Sequence, residues 1–499
     1  MSSAPPRLAV ASARPVVIDI RPVNSALGIL IAVLGTMMMV PAIADLVERH
    51  DDWIVFVVCA AITTFVGCML WLSGRQAGPA RLSVRQAFLL TALAWIVLTG
   101  FGGLPLMWSD PKLTFAQAYF ETMSGLTTTG STVIVGLDKM PPGVLLWRSL
   151  LTWYGGAGII VMAIAILPML QIGGMQLFRM ESSDKSDKIL PRVAEIANRI
   201  LLVYGLLTLA CAISYFAAGM SLFDAVNHAM PTLATAGFST HDNSFAEFKS
   251  PAIDYVAIVF MLAGSMPMLL YVRALHGDML ALPRSYEVRL FLAIVAAFTL
   301  LSMVQQRIAG ISTGEESFRY ALFNVVTLIS TTGFATVDYA GWGAASDAIF
   351  FCVMFLGGCM GSTTGGIKAF RIAIIGSAML QHFKRVVYPH GVFPIRYGGK
   401  PVSDDVVASV MSFLFLYLLT FAGVGLALNL MGYDFKTAFS ATIACLSNVG
   451  PGLGPIVGPV GNYSTLSEPA LWFLSFAMLV GRLELFTIYV LVLPRFWRP

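Results

Sequence analysis

Charge is scarce in this chain. Only 12% of its 499 residues are Asp, Glu, Lys or Arg, whereas soluble globular domains carry about 25%. Long polar intervals are also few: 57% of the residues are apolar and mean hydropathy is +0.79. A string of soluble domains is thereby excluded. The six cysteines (59, 68, 211, 352, 359 and 445) lie scattered in apolar segments without C-x-x-C spacing. They read as buried small hydrophobes, not as disulfides or metal ligands. The six histidines form no H-E-x-x-H or other ligand spacing, and neither G-x-S-x-G nor D-D-x-x-D occurs. An enzyme is not expected.

Apolar runs are what the chain has in quantity. A membrane-crossing helix needs about 20 apolar residues. Ten segments supply them, near 25–46, 53–73, 86–108, 144–170, 200–219, 253–275, 287–309, 348–380, 405–431 and 469–493. Basic residues in short loops set orientation. Arg7, Arg14 and Arg21, then Arg75, Arg81 and Arg85, then Arg179, Lys185, Lys188, Arg192 and Arg199 fall on one side. Arg284, Arg289, Lys384, Arg385, Arg396, Lys400, Arg495 and Arg498 join them. Both termini are therefore expected in the cytoplasm. The net charge of +4 follows from this bias and calls for membrane lipid, with no nucleic-acid partner. Ala42-Ile43-Ala44 resembles a signal-peptide cleavage site, but its apolar run and leader are longer than a signal peptide prefers.

Between the long segments lie four shorter stretches: AYFETMSGLTTTGS (118–131), AVNHAMPTLATAGF (225–238), ALFNVVTLISTTGF (321–334) and AFSATIACLSNVGP (438–451). Aligned on Gly130, Gly237, Gly333 and Gly450, they share an alanine twelve positions earlier and Leu126, Leu233, Ile329 and Leu446 four positions earlier. Phe115, Leu222, Phe318 and Phe435 also fall in register, as do Thr128, Thr235, Thr331 and Asn448. The unit is span–short helix–glycine turn–span, and the first two spans stand outside it as a hairpin. The expected fold is an all-α polytopic membrane protein of four pseudo-repeats around one central pore. Its boundaries are 1–80 for the tail and hairpin, then 81–196, 197–284, 285–402 and 403–499 for the repeats.

A helix of 12 residues is roughly 18 Å long, too short to cross about 30 Å of hydrocarbon. With the N-terminus inside, all four enter from the extracellular face and return. The unwound backbone beyond each helix must avoid lipid, so the four turns must surround a shared wet axis. A hard monovalent cation is dehydrated most cheaply by carbonyl oxygens. The expected lining is Thr127, Thr128, Thr129 and Gly130; Ala234, Thr235, Ala236 and Gly237; Ser330, Thr331, Thr332 and Gly333; and Ser447, Asn448, Val449 and Gly450. Carbonyls matter more than side chains there, and no ring of acids appears. Glu121 and His228, in the short helices, read as structural.

The stretch GGCMGSTTGGIK (357–368) interrupts an apolar segment with glycines 357, 358, 361, 365 and 366. A continuous helix over 349–380 would reach roughly 48 Å, so it should break here. It nearly fits the phosphate loop G-x-x-x-x-G-K-[ST], but Ile367 follows Gly366 and Lys368 comes one place late. A gate and an ordinary glycine kink share this sequence. Arg482 falls inside the last span, where a lone cation costs about 2.5–3.5 kcal/mol and usually faces a cavity or partner.

The four unequal units resemble the Trk/Ktr/HKT superfamily of potassium transporters, and the extra hairpin resembles its bacterial Trk membrane subunit. The resemblance runs from about residue 24 to the end and rests on the four glycines, GGCMGSTTGGIK and GRLELF (481–486). It implies potassium uptake across the bacterial inner membrane through a channel-like pore, with the potassium ion held in a carbonyl filter. In this family glycine at all four positions goes with potassium, and serine in the first copy goes with sodium; Gly130 matches potassium. One glycine per copy, against the T-V-G-Y-G of potassium channels, implies weaker discrimination. The resemblance also implies a gating loop at Gly357, Gly358, Gly361, Gly365, Gly366 and Lys368, with Arg482 as a barrier beneath the filter. Lys368 is expected to hold the loop through its carbonyls. A homodimer and a separate cytosolic nucleotide-binding subunit are implied as well. The alternative is a sodium- or proton-coupled carrier with alternating access, a class that usually shows two related halves.

Overall fold

The computed structural model describes residues 19–75, 82–165 and 189–497. Of the basic residues that set orientation, Arg7, Arg14, Arg81, Arg179, Lys185, Lys188 and Arg498 lie outside the described residues, as does the end of the fourth expected span. Among the described residues, seven helices are long and apolar enough to cross a membrane, and two bent pairs bring the number to nine.

The outer helices turn their apolar side chains outward. On Ile189–Ala217, Leu206, Leu209, Ile213 and Phe216 recur at helical spacing and are all exposed. This inverts the soluble pattern and suits a hydrocarbon surround. The hairpin of Arg21–Met37 and Trp53–Gly74 closes tightly where glycines of the two helices meet. A Cβ on Gly28 would lie 2.6 Å from the Gly67 carbonyl oxygen, and one on Gly67 would lie 2.7 Å from that of Gly28. Gly35 and Gly74, seven residues further along each helix, meet the partner just as closely. Helices in lipid associate through such close packing.

Two segments expected as single spans are bent. Pro251–Gly264 and Met268–Leu275 meet at 94°, and Glu468–Arg482 and Phe486–Val492 at 112°. Pro267 cannot donate to a helical ladder and disfavours helix in the residue before it. The Ser265 carbonyl then accepts the Cys359 N–H at 2.9 Å. In the second break, Glu484 and Leu485 take positive φ of 60° and 32°, and the Glu484 carboxylate turns to Arg371 and Lys368.

Four short helices, Phe115–Leu126, Leu222–Ala234, Gly314–Ile329 and Phe435–Leu446, are packed inside. Three start from side-chain caps: Thr114 accepts the Gln117 N–H, Ser221 that of Asp224 and Asp434 that of Thr437. The third runs longer, 16 residues, and starts at Thr313 without such a cap.

Polar side chains fasten the loops that follow the first two short helices. Glu121, fully buried, accepts from Arg148 Nε at 2.8 Å, Thr132 Oγ1 at 2.9 Å and the Val133 N–H at 2.8 Å. Arg148 also donates to the Ser239 carbonyl at 2.9 Å and lies 4.2 Å over the Phe238 ring. His228 is held between the Asp224 carbonyl and Ser239 Oγ. Nearer the surface, His241 Nδ1 is 2.6 Å from Asp138 and its Nε2 is 3.5 Å from Asp224. The Asp224 contact, opposed by partial burial and reinforced by Asp138, raises the His241 pKa to about 9. Its hydrogen bond to His241 in turn lowers that of Asp138.

Two outcomes follow from these clusters. Arg148→Ala leaves a buried carboxylate unpaired and should cost about 3–5 kcal/mol, read as a lower melting temperature in detergent. Pairing it with Glu121→Leu should restore most of that loss; equal melting of wild type and Arg148→Ala would contradict the assignment. The His241 contribution, with a folded pKa above the ordinary 6.5, is complete below that value and fades as pH rises through about 9. Melting curves of wild type and His241→Gln should therefore converge at alkaline pH and separate at neutral pH.

Candidate ion pathway

Each short helix ends in the same way. The N–H of Thr129 bonds back to Ser124 at 2.8 Å, Ala236 to Pro231 at 2.8 Å, Thr332 to Thr327 at 2.8 Å and Val449 to Ala444 at 2.7 Å. The preceding residues, Thr128, Thr235, Thr331 and Asn448, all take left-handed φ, at 53°, 54°, 54° and 57°. For a β-branched threonine this region is disfavoured, and backbone held there concentrates at functional sites. Gly130, Gly333 and Gly450 follow at φ 87°, 87° and 101°.

The four glycines close a ring. A Cβ on Gly130 would lie 2.8 Å from Gly237 Cα, one on Gly237 2.6 Å from the Thr332 oxygen, and one on Gly450 2.6 Å from the Thr129 oxygen. A Cβ on Gly333 would overlap the Val449 carbonyl and approach Pro451 to 2.7 Å. First meets second, second meets third, third meets fourth, and fourth returns to first. None of the described residues donates a hydrogen bond to the carbonyls of Thr129, Ala236, Thr332 or Val449. Polar carbonyls gathered this way are suited to a cation.

Side chains of the turns brace the ring. Thr127 and Thr129 pair at 2.8 Å, Ser330 and Thr332 at 2.7 Å, and Thr235 bonds the Ala234 carbonyl at 2.7 Å. Asn448 Nδ2 donates to Thr129 Oγ1 and to the Met478 carbonyl, each at 3.0 Å. Tyr417 holds Ser447 at 2.5 Å, and Tyr463 holds the Gly450 carbonyl at 2.8 Å. All four ring glycines also line a cavity of about 60 Å³ on one side.

Three glycines of the following spans support the turns. A Cβ on Gly155 would overlap the Leu126 carbonyl, one on Gly481 that of Leu446, and one on Gly264 would lie 3.1 Å from that of Leu233. Their small size lets each span meet the carbonyl end of its short helix. Sequence reading missed them, although each stands a similar distance beyond its turn.

The stretch 357–368 lies against the ring's other side. Helix Ala344–Val353 stops and Ala369–Val387 begins, with non-helical backbone between them. That backbone is bonded to protein at many points: Gly357 N–H to Ile367, Ile367 N–H to Phe355, Ala369 N–H to Gly358 and Met268 N–H to Gly361, at 2.9–3.0 Å. Unwound chain is tolerated at membrane depth when satisfied in this way. Its tip touches three of the four turns. Thr363 Oγ1 bonds the Leu233 carbonyl at 3.0 Å, the Gly365 N–H bonds Thr331 Oγ1 at 2.9 Å, and a Cβ on Gly365 would overlap the Ser447 carbonyl. The same tip faces Arg482 across a cavity of about 20 Å³ shared with Thr364, Gly365 and Gly366.

Arg482 is only 4% exposed, and its guanidinium nitrogens have no hydrogen-bond partner among the described residues. Glu484, its near neighbour in sequence, pairs instead with Arg371 and stands 3.8 Å from Lys368. Lys368, expected to hold the loop through carbonyls, thus faces a carboxylate, the stronger partner for a buried ammonium. Arg371 is the further residue that sequence reading passed over. It is buried, lies 3.7 Å over the Phe413 ring, and engages Glu484, so that Arg482 has no carboxylate partner among the described residues. Its signal was its place three residues after Lys368, close enough for the one carboxylate of Glu484 to reach both cations.

Known proteins share sequence and overall fold with this chain. Residues 54–498 match the TrkH family, described as a cation transport protein. The chain is 41% identical over 478 residues to the Trk system potassium uptake protein TrkI of Halomonas elongata, covering 96% of this chain and 97% of that one. It is 37% identical over 483 residues to the Trk system potassium uptake protein TrkH of Escherichia coli K12, covering 96% and 99%. The crystal structure of the potassium transporter TrkH from Vibrio parahaemolyticus superimposes with a TM-score of 0.89 at 36% identity, covering 96% of this chain and all of that one. This chain belongs to the TrkH family of cation transport proteins.

Proposed function

We propose that the protein carries potassium into a bacterial cell through a pore on the axis of the four glycine turns. The observation that carries this reading is the closed ring, Gly130 to Gly237 to Gly333 to Gly450 and back, with donor-free carbonyls beside it. The potassium uptake names of its relatives support the same ion. Thr127–Gly130, Ala234–Gly237, Ser330–Gly333 and Ser447–Gly450 form the selectivity filter, one segment from each of the four repeats. Carbonyl dipoles there replace the ion's water without adding fixed charge. Each short helix directs the negative end of its dipole at the same point.

Below the filter, residues 357–368 act as the gate and Arg482 as an electrostatic barrier. The tip's contacts with three turns, and the guanidinium beside it that has no partner among the described residues, support this assignment. An incoming cation is repelled until the loop shifts and the arginine moves aside. Ten spans in the bacterial inner membrane, with both termini cytoplasmic, complete the reading. A homodimer and a separate cytosolic nucleotide-binding subunit are further parts of the proposal; the relatives' designation as members of a Trk system is what supports a multi-part assembly.

Cation flux into proteoliposomes holding the chain tests both parts. Wild type should pass potassium in preference to sodium, and Gly130→Ser, whose Cβ would meet the Gly237 backbone and force the first turn to shift, should relax that preference. Arg482→Ala should raise potassium flux several-fold. Gly333→Ala should abolish it, because its Cβ would occupy the place of a filter carbonyl. Flux indifferent to all three substitutions would overturn the pore axis.

A further inference from the structure

On the side of the loop away from the ring, a cavity of about 480 Å³ opens between Met268–Leu275, the start of Tyr286–Ile308 and the hairpin at Arg396–Pro401. Its wall carries four cations, Arg273, Arg284, Arg289 and Lys400, against two carboxylates, Asp278 and Glu287. Both carboxylates are already engaged. Asp278 pairs with Arg273 at 2.7 Å, and Glu287 accepts the Met360 N–H at 2.7 Å. The side chains of Arg284, Arg289 and Lys400 have no ion pair or hydrogen bond among the described residues. Edge-to-face packing of Tyr286 on Tyr397, with ring centres 5.4 Å apart, holds the hairpin against the helix start and fixes the cavity's shape.

Nearby, Leu275, Met279 and Leu280 are 66%, 76% and 51% exposed. Three cations without a partner among the described residues, beside exposed apolar side chains, form a two-part surface. The cations suit a phosphate, which accepts several charge-assisted hydrogen bonds, and the apolar side chains suit an acyl chain. Basic pockets between membrane helices on the cytoplasmic side hold anionic headgroups by this chemistry.

We propose that this cavity is a binding site for a phosphate-bearing anion, with the headgroup of an anionic phospholipid as its occupant. Free phosphate shares the headgroup's charge but cannot use the apolar rim. The occupant would lie one side chain from the gating loop, because Glu287 is both a wall of the cavity and the acceptor for Met360 within 357–368. That link to gating rests on the pore reading; the binding itself does not.

Native mass spectrometry of the full chain in detergent tests the site. Phosphatidylglycerol, phosphatidylcholine or inorganic phosphate would be added to wild type, to the Arg284→Gln/Arg289→Gln/Lys400→Gln variant, and to a Lys112→Gln/Lys139→Gln control altered in other loops. Wild type and control should retain phosphatidylglycerol, and the triple variant should retain roughly tenfold less or lower. Phosphatidylcholine should bind all three equally weakly. Displacement of phosphatidylglycerol by inorganic phosphate would support the cationic site while reassigning its occupant to the free anion. Equal phosphatidylglycerol retention by wild type and the triple variant would overturn the proposal. If the triple variant does not fold, Lys400→Gln on the exposed hairpin carries the same comparison. Because no flux is measured, failure here and failure of the pore reading remain distinguishable.

Discussion

Backbone at membrane depth must find partners for its N–H and C=O groups, and the rest of this structure is arranged around that constraint. Helices satisfy it internally. Two kinds of segment here do not: the turns that end the short helices and the unwound stretch 357–368. The turns bond their N–H groups back onto the helix, as Thr129 does to Ser124 and Val449 to Ala444. Their free carbonyls then collect around the ring. The stretch bonds to itself, to Ser265 and to Glu287. What lipid forbids at the periphery becomes, at the centre, a row of acceptors that a cation can complete.

The ring explains why small residues are placed as they are. Each of the four glycines leaves room for the next segment, so a single added methyl group would strike backbone, which cannot turn aside as a flexible side chain can. Gly155, Gly264 and Gly481 repeat the device one layer out, where the spans receive the carbonyl ends of the short helices. Asn448 and Tyr463 then brace the fourth turn against its neighbours. The left-handed backbone at Thr128, Thr235 and Thr331 persists because this packing over-determines it.

Much of this was legible in the sequence, because the periodicity lies in register. Four glycines aligned with an alanine, an aliphatic residue and a small polar residue at fixed offsets identify the turns without coordinates. The glycine-rich run at 357–368 likewise announces itself by interrupting an apolar segment. What the sequence hid depends on tertiary partners. Glu121 and Arg148 are 27 positions apart, and nothing local says that they meet. The 112° bend after Arg482 follows from where Glu484 finds Arg371, which lies 113 positions away. The other bend has a local cause in Pro267, a residue type that is frequent in membrane helices. The hairpin's Gly28, Gly35, Gly67 and Gly74 were readable at heptad spacing, although hydropathy alone conceals them.

The central claim is that a cation rests on the axis within the ring of carbonyls. Anomalous diffraction from crystals grown in rubidium, a potassium substitute with a usable absorption edge, locates such an ion directly. The account predicts a rubidium peak on the axis, level with the carbonyls of Thr129, Ala236, Thr332 and Val449. Rubidium bound elsewhere, with the axis vacant, would contradict it.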